Sequence, residues 1–138
     1  MKYFFDSNVI VDALTNREGA IEYERKLLYA ATVGKIEGII SAKQMTDIYY
    51  VLRKYVPDDS ARRNLISILL EGFEILPVDK AVLKKALGSG IRDYEDAVIC
   101  VCAEISGAGA IISNDKAGFE NGNVKAISPK EAAKQIGI

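Results

Sequence analysis

Short apolar runs and amphipathic segments of helical period alternate along the whole chain. Five apolar runs predict strands, over Lys2–Phe5, 36–40, Phe73–Leu76, 110–113 and 124–127. Helices are predicted between and after them, over 8–14, 20–33, 41 to about 55, 58 to about 70, Lys80–Leu87, 93–105 and from 129 onward. Strands separated by helices predict a parallel sheet that helices cover on both faces.

The helix boundaries follow from capping residues. Ser41 with Gln44, and Ser128 with Glu131, are spaced as capping boxes. Single caps are predicted at Ser7, at Asp58 or Asp59, at Asp79 and at Asp93. The resulting order of elements predicts one domain of 138 residues, built as a three-layer α/β/α fold with a mostly parallel central sheet. In such sheets ligands bind outside the carboxyl ends of the strands.

Composition adds the cellular setting. Hydrophobic residues make up 49% and charged residues 27% of the chain, as in soluble globular proteins. The longest wholly apolar stretch, 97–103, is far shorter than the ~20 residues that cross a membrane. Asp6 interrupts the apolar start, which argues against a signal peptide. We expect a cytoplasmic protein without membrane contact, in which Cys100 and Cys102 are small buried residues.

The residue types that are missing narrow the chemistry. The sequence has no histidine, which excludes Ser–His and Cys–His nucleophiles and nearly every catalytic zinc site. Its 18 Lys and Arg against 19 Asp and Glu give a net charge of −1. Binding to phosphate must therefore rely on a local patch or on bound cations.

Acidic residues follow the predicted strands at the edge where ligands bind. Asp6 comes directly after the first strand, and Asp115 follows the fourth after one intervening residue. Asp93 and Asp96 begin the most apolar helix, and Asp47 lies in the second turn of the helix after the second strand. Taken singly, each has a structural explanation as a strand end, a turn, a helix cap or a solvated helix position.

Taken together, these acids predict a metal site. Carboxylates gathered at one sheet edge repel one another, and hard cations neutralise such a cluster. Carboxylate and water ligands without histidine or thiolate favour Mg²⁺ or Mn²⁺. Two such ions about 3.5–4 Å apart activate a water and stabilise the leaving oxygen in phosphodiester cleavage.

Four segments of the chain contain the acids. They are Tyr3-Phe-Phe-Asp6-Ser7-Asn8-Val-Ile-Val-Asp12, Ser41-Ala-Lys-Gln-Met-Thr-Asp47-Ile-Tyr-Tyr, Asp93-Tyr-Glu-Asp96-Ala97 and Ser113-Asn114-Asp115. In these segments the chain resembles PIN-domain ribonucleases, particularly toxins of the VapC type. The order and spacing of the segments cover nearly the whole chain. The resemblance implies a PIN-like nuclease domain over 1–138. It also implies a metal-dependent endoribonuclease that uses one or two Mg²⁺ or Mn²⁺ ions and acts as the toxin of a toxin–antitoxin pair.

The resemblance also assigns the site residues. It implies that Asp6, Asp47, Asp96 and Asp115 are the catalytic metal ligands, with Asp93 as an additional acid in or beside the metal shell. Ser7, Asn8 and Ser113 would orient these carboxylates. The second acid of the family is most often Glu, so Asp47 either brings its helix closer to the metal, contacts it through water or leaves a weak second site. Arg17, Lys43, Arg92 and Lys116 flank the four motifs and are candidates for holding RNA.

Partners follow only from the resemblance, which implies an RNA substrate, a small inhibitory antitoxin and a homodimer. Leu27, Leu28 and Tyr29, or Ile66, Leu69 and Leu70, offer an apolar side for such contacts, although core burial explains them equally well. Two other functions stay open. One is a PIN-like interaction module with weak or lost metal binding, supported by Asp47 in place of Glu. The other is an aspartyl-phosphate phosphotransferase, which the motifs fit less well.

Overall fold

The computed structural model describes residues 1–15 and 21–138, so Arg17 and the predicted helix start at Ala20 lie outside the described residues. The strands are β1 (Lys2–Phe5), β2 (Glu37–Ser41), β3 (Phe73–Leu76), β4 (Ala110–Ile112) and β5 (Ala126–Ile127). The helices are α1 (Ser7–Thr15), α2 (Ile21–Thr32), α3 (Ala42–Leu52), α4 (Asp59–Gly72), α5 (Lys80–Leu87), α6 (Tyr94–Ser106) and α7 (Pro129–Ile136), with a short 3₁₀ turn at Ala117–Phe119.

The five strands form one sheet in the order β3-β2-β1-β4-β5, and every neighbouring pair is parallel. Alternate side chains of the central strands enter two separate apolar cores. Phe5 and Ile112 pack with α1, α2, α3, α4 and α7 on one face. Phe4 and Ile111 pack with α5 and α6 on the other. The predicted three-layer α/β/α fold is confirmed, and its sheet is parallel throughout the described residues.

Several caps hold the helices at the predicted positions. Both capping boxes form, from Ser41 with Gln44 and from Ser128 with Glu131. Asp79 and Asp93 cap α5 and α6 through their side chains, and Asp58 rather than Asp59 caps α4. These caps matter for function because α3 and α6 begin beside the carboxyl edge of the sheet.

Three boundaries differ from the prediction. Helix α3 ends at Leu52 and not near 55, because Pro57 disfavours a helical conformation at the preceding residue, Val56. The Arg62 guanidinium donates hydrogen bonds to the carbonyls of Val56 and Pro57. Strand β5 holds only two residues. Ser7 is the first residue of α1 and not its cap, and its hydroxyl accepts a hydrogen bond from the Gln44 side chain.

The apolar side expected for partner contacts is partly core. Leu27 and Leu69 are fully buried, so of the two explanations core burial is confirmed for them and contact with a partner is excluded. Their neighbours Tyr29 and Leu70 remain exposed, at 63% and 52% of their surface. Cys100 and Cys102 are buried as expected, and burial raises the pKa of each thiol to about 11. Within the described ranges, no helix has the length and apolar character to cross a membrane.

Candidate functional site

Two predicted acids meet at the carboxyl edge of the sheet because β1 and β4 are parallel neighbours at its centre. Asp6 directly follows β1, and its backbone N–H donates to the carbonyl of Ile112, the last residue of β4, at 3.0 Å, which extends the β1–β4 pairing past the end of β1. Asp115 lies three residues beyond β4. The strand pairing itself therefore fixes the backbone that presents Asp6.

The Ser113 hydroxyl ties these two acids together. It donates a 2.7 Å hydrogen bond to Oδ2 of Asp6 and accepts one of 2.9 Å from the backbone N–H of Asp115. Ser113 is fully buried, so its hydroxyl has few other partners to turn to. One side chain thus orients the Asp6 carboxylate and fixes the turn that carries Asp115.

Helix α6 brings Asp96 to the same place. The Asp93 carboxylate accepts a 3.1 Å hydrogen bond from the Asp96 backbone N–H, so it caps the helix that carries Asp96. Burial, followed by repulsion from Asp93, Asp6, Asp115 and Glu95, raises the pKa of Asp96 to about 6. These four acids are therefore close enough to Asp96 to oppose its ionisation.

Burial also raises the pKa of Asp6 above its ordinary value. The hydrogen bonds from Ser113 and from the Ser7 backbone oppose that rise, while repulsion from Asp115 and Asp12 adds to it. Asp12 thus lies close enough to influence the site. It also accepts a hydrogen bond of 3.5 Å from the Asn114 amide.

Asp47 reaches the same cleft from α3, but it is paired with a cation. The Lys43 ammonium lies 2.7 Å from the Asp47 carboxylate and 3.5 Å from that of Glu95 on α6. The hydrogen bond to Asp47 is the largest cause of the raised pKa of Lys43. Asp47 therefore differs from Asp6, Asp96 and Asp115, which form no ion pair with a lysine of residues 1–15 and 21–138.

The acids line two clefts that meet at Asp96 and Asp115. The larger, of about 620 Å³, we call the acidic cleft. It is lined by Asp6, Ser7, Asn8, Ser41, Lys43, Gln44, Asp47, Tyr50, Val51, Val78, Leu83, Tyr94, Glu95, Asp96, Val98, Ile99 and Asp115. The smaller, of about 480 Å³, holds Arg92, Asp93 and Asn121 beside the two shared acids. Lys116 lines neither cleft, and its Nζ forms an ion pair with Oε1 of Glu131 at 2.7 Å.

Gln44 is a positioning residue that the sequence revealed only in part. Its capping-box spacing predicted the bond from the Ser41 backbone N–H to its side-chain oxygen, at 2.8 Å. Its amide nitrogen also donates to the Phe5 carbonyl at 2.8 Å and to the Ser7 hydroxyl at 3.2 Å. Gln44 is buried, so these bonds join the end of β1 to the start of α3 without competition from water.

Gly118 gave no signal in the sequence. A Cβ atom at this position would lie 2.8 Å from Oδ2 of Asp96 and 3.0 Å from Oδ2 of Asp115. Its backbone N–H donates to the Asp115 carboxylate at 3.3 Å. The absence of a side chain on Gly118 therefore leaves room for two acids that are distant in sequence to approach the same point.

The donor set fits a hard divalent cation held partly by water. Within residues 1–15 and 21–138, no three acidic or thiol side chains converge on one point closely enough to hold an ion as they stand. Mg²⁺ usually keeps several waters and binds through one or two carboxylates. Asp6, Asp96 and Asp115 meet that requirement, since all offer oxygen and their mutual repulsion favours a cation between them.

Known proteins resemble this chain over nearly its whole length. The pattern of the family described as PIN domain matches residues 2–117. Ribonuclease VapC1 of Aquifex aeolicus (strain VF5) is 30% identical over 135 residues, which is 94% of this chain and 92% of that protein.

Solved structures share the fold at lower identity. A chain of VapBC2 from Rickettsia felis, solved bound to a DNA fragment from its promoter, matches with a TM-score of 0.68 and 17% identity, covering 93% of this chain and 98% of that one. VapC20 of Mycobacterium tuberculosis, described as a sarcin–ricin loop cleaving toxin, matches with a TM-score of 0.67 and 12% identity, covering 89% and 98%.

The crowding of the acids predicts how stability depends on pH without metal. A carboxyl whose pKa is raised in the folded protein binds its proton more tightly than in the unfolded chain. Its contribution to stability is present below pH 3.8 and is lost as the pH rises through about 6 for Asp96. Asp96→Asn removes this titration, so its free energy of unfolding should fall less than that of wild type between pH 4 and pH 7.

Denaturant unfolding in chelator at each pH measures this difference, to which the acids remote from Asp96 contribute equally in the two proteins. Equal slopes for wild type and Asp96→Asn would show that Asp96 is not held in a crowded, desolvated position. A steeper slope for the variant would contradict the sign of the shift.

Proposed function

The chain belongs to the PIN domain family, and we propose that it is a Mg²⁺- or Mn²⁺-dependent endoribonuclease whose nuclease domain spans 1–138. The observation that supports this most strongly is the electrostatic coupling of Asp6, Asp96 and Asp115 at the carboxyl edge of the sheet. Hydrolysis of a phosphodiester needs charge stabilisation, which in a chain of net charge −1 must come from a local basic patch or from bound cations.

One or two divalent ions, when bound, would supply the charge that stabilises the phosphate and the activation of the attacking water. Asp6, Asp96 and Asp115 would hold them. Asp93 would keep the first turn of α6 in place through its bond to the Asp96 N–H, and Ser113 would aim the Asp6 carboxylate. Ser7 and Asn8 line the same cleft, where they would help to orient these carboxylates.

We assign Asp47 a catalytic role that acts at a distance from the metal. Its short contact with Lys43 would hold the ammonium at the acidic cleft, where an RNA phosphate passes. Any contribution of Asp47 to metal binding would then run through water. Arg92 in the smaller cleft is the second candidate for phosphate, and Lys116 would serve only after its pairing with Glu131 opens.

We also propose a protein partner. The relative with 30% identity is a VapC ribonuclease, and a structure described as a toxin–antitoxin complex from Klebsiella pneumoniae shares the fold with a TM-score of 0.67 and 17% identity. By that analogy this chain is the toxin of a toxin–antitoxin pair that acts on RNA in the cytoplasm and forms a homodimer. Exposed Tyr29 and Leu70 remain candidates for these contacts.

Substitution of the acids tests the proposed chemistry. Wild type should cut a pool of structured and unstructured RNAs with Mg²⁺ or Mn²⁺ and not with chelator, while Asp6→Asn and Asp96→Asn should lose at least about a hundredfold in rate. Mn²⁺ should also raise the melting temperature of wild type, because it binds the folded cluster selectively. Asp58→Asn is the matched control, since Asn caps α4 as well as Asp does and this cap lies outside both clefts.

Each other outcome has a definite reading. Equal cleavage by all four proteins would identify a contaminating nuclease. Absence of cleavage, together with a melting temperature that Mn²⁺ leaves unchanged, would reject the enzyme and favour a PIN-like interaction module.

Gly118 offers a test that leaves every acid in place. In Gly118→Ala the new methyl group would press on the Asp96 and Asp115 carboxylates, which can rotate away without unfolding the protein. Cleavage should fall roughly ten- to a hundredfold, since misplacing catalytic groups by about 1 Å has effects of that size. Gly109→Ala is the control, because a Cβ there meets its nearest atom at an ordinary 3.6 Å.

The readouts are the rate of RNA cleavage and the melting temperature. An active Gly118→Ala protein, with wild-type rate and Mn²⁺ dependence, would mean that Asp96 and Asp115 do not act from the positions described. A large decrease in the melting temperature of Gly118→Ala would show that the variant destabilises the fold, and the loss of cleavage would then not be a property of the site.

A further inference from the structure

The acidic cleft has an apolar side that metal binding does not use. Tyr50, Leu83 and Tyr94 line it together with Ile99 and three valines, opposite in character to the carboxylates in the same cleft. The exposed fractions of Tyr50, Leu83 and Tyr94 are 66%, 41% and 42%. Large apolar side chains this exposed and adjoining a polar site are typical of ligand-binding surfaces.

Tyr94 is held in a fixed relation to the acids. It is the first residue of α6, two positions before Asp96. Its hydroxyl donates a 2.9 Å hydrogen bond to the Leu83 carbonyl on α5, so both ends of the side chain are anchored. A ring positioned in this way loses little conformational entropy when a flat ligand stacks on it.

Tyr50 projects into the same cleft from α3, one turn beyond Asp47. The Arg53 guanidinium lies over its ring, 5.7 Å from the ring centroid. Arginine stacked on an aromatic ring is a combination that serves single-stranded nucleic acids, because it offers a stacking face beside a positive charge.

We propose that Tyr50 and Tyr94 bind the unpaired nucleobase next to the phosphate that is cut. This inference rests on the proposed ribonuclease function, and it adds the residues that select where cleavage occurs. The sugar–phosphate chain would lie at the carboxylates, and its neighbouring base would turn onto the tyrosine rings. A base within a duplex keeps its faces stacked on its neighbours, so the aromatic side of the cleft would restrict cleavage to unpaired nucleotides.

A nucleobase fits this surface better than an acidic peptide does. A base is uncharged, flat and aromatic on both faces, so it gains from the rings and is not repelled by the adjoining acids. A peptide with carboxylates would face Asp47, Glu95 and Asp96 in the same cleft. The apolar side also adjoins the acids directly. This arrangement favours a ligand with an aromatic part next to a phosphate, as in a nucleotide.

Abasic substrates test the assignment. A single-stranded RNA with one mapped cleavage site is compared with versions that lack the base on either side of that site. Tyr50→Ala and Tyr94→Ala should each lower kcat/KM on the intact RNA about tenfold, the size expected of one stacked base. They should lower it no further on the RNA that lacks the base bound by the two tyrosines.

The matched controls separate stacking from general damage. Tyr50→Phe keeps the ring and should recover most of the kcat/KM that Tyr50→Ala loses. Tyr94→Phe keeps the ring but loses the anchor on Leu83, so its loss should be smaller than that of Tyr94→Ala. Leu87→Ala changes a side chain that is 74% exposed and lines neither cleft, and it should have no effect. The melting temperature of each variant reports whether it folds.

Two results would overturn the proposal. One is wild-type cleavage by both alanine variants, which would leave the apolar side to a protein partner. The other is an equal loss on intact and abasic RNA, which would make the tyrosines structural. If wild type itself cuts no RNA, the proposed function fails separately. Equilibrium binding of the intact RNA and of an abasic chain of equal length then decides whether the tyrosines recognise bases.

Discussion

Asp6, Asp96 and Asp115 repel one another across the carboxyl edge of the sheet, and partial burial of Asp6 and Asp96 strengthens that repulsion. A folded chain keeps such an arrangement only if other interactions hold the acids in place. The parallel pairing of β1 with β4 sets the backbone of Asp6, and the cap from Asp93 sets the start of α6. The fold thus keeps close together carboxylates that repel one another and that a divalent cation would neutralise.

Small polar groups transmit the geometry of the sheet to the acids. The Ser113 hydroxyl joins the Asp6 carboxylate to the backbone of Asp115, and Gln44 joins the end of β1 to the first turns of α1 and α3. Both residues are buried, where a lost hydrogen bond is not replaced by water. Gly118 contributes because it has no side chain, which leaves space for the Asp96 and Asp115 carboxylates.

Features that depend on neighbours in sequence could be predicted. The capping boxes, the caps at Asp79 and Asp93, and the strands Lys2–Phe5 and Phe73–Leu76 all follow from local residue types, and the structure confirms them. Asp6 and Asp115 could be placed at one edge because parallel strands end together. Gly118 could not be found, because its importance comes from an acid on another helix. The pairing of Lys43 with Glu95 and the burial of Leu69 likewise depend on packing between distant segments.

The central claim is that these acids form a divalent-cation site, and diffraction tests it most directly. Crystals grown with Mn²⁺ and measured near the manganese absorption edge locate the ion by its anomalous signal. The account predicts a peak within coordination distance of oxygens of at least two of Asp6, Asp96 and Asp115, with water completing the shell. A map with no peak at this edge of the sheet, from crystals that hold Mn²⁺ in excess, would contradict it.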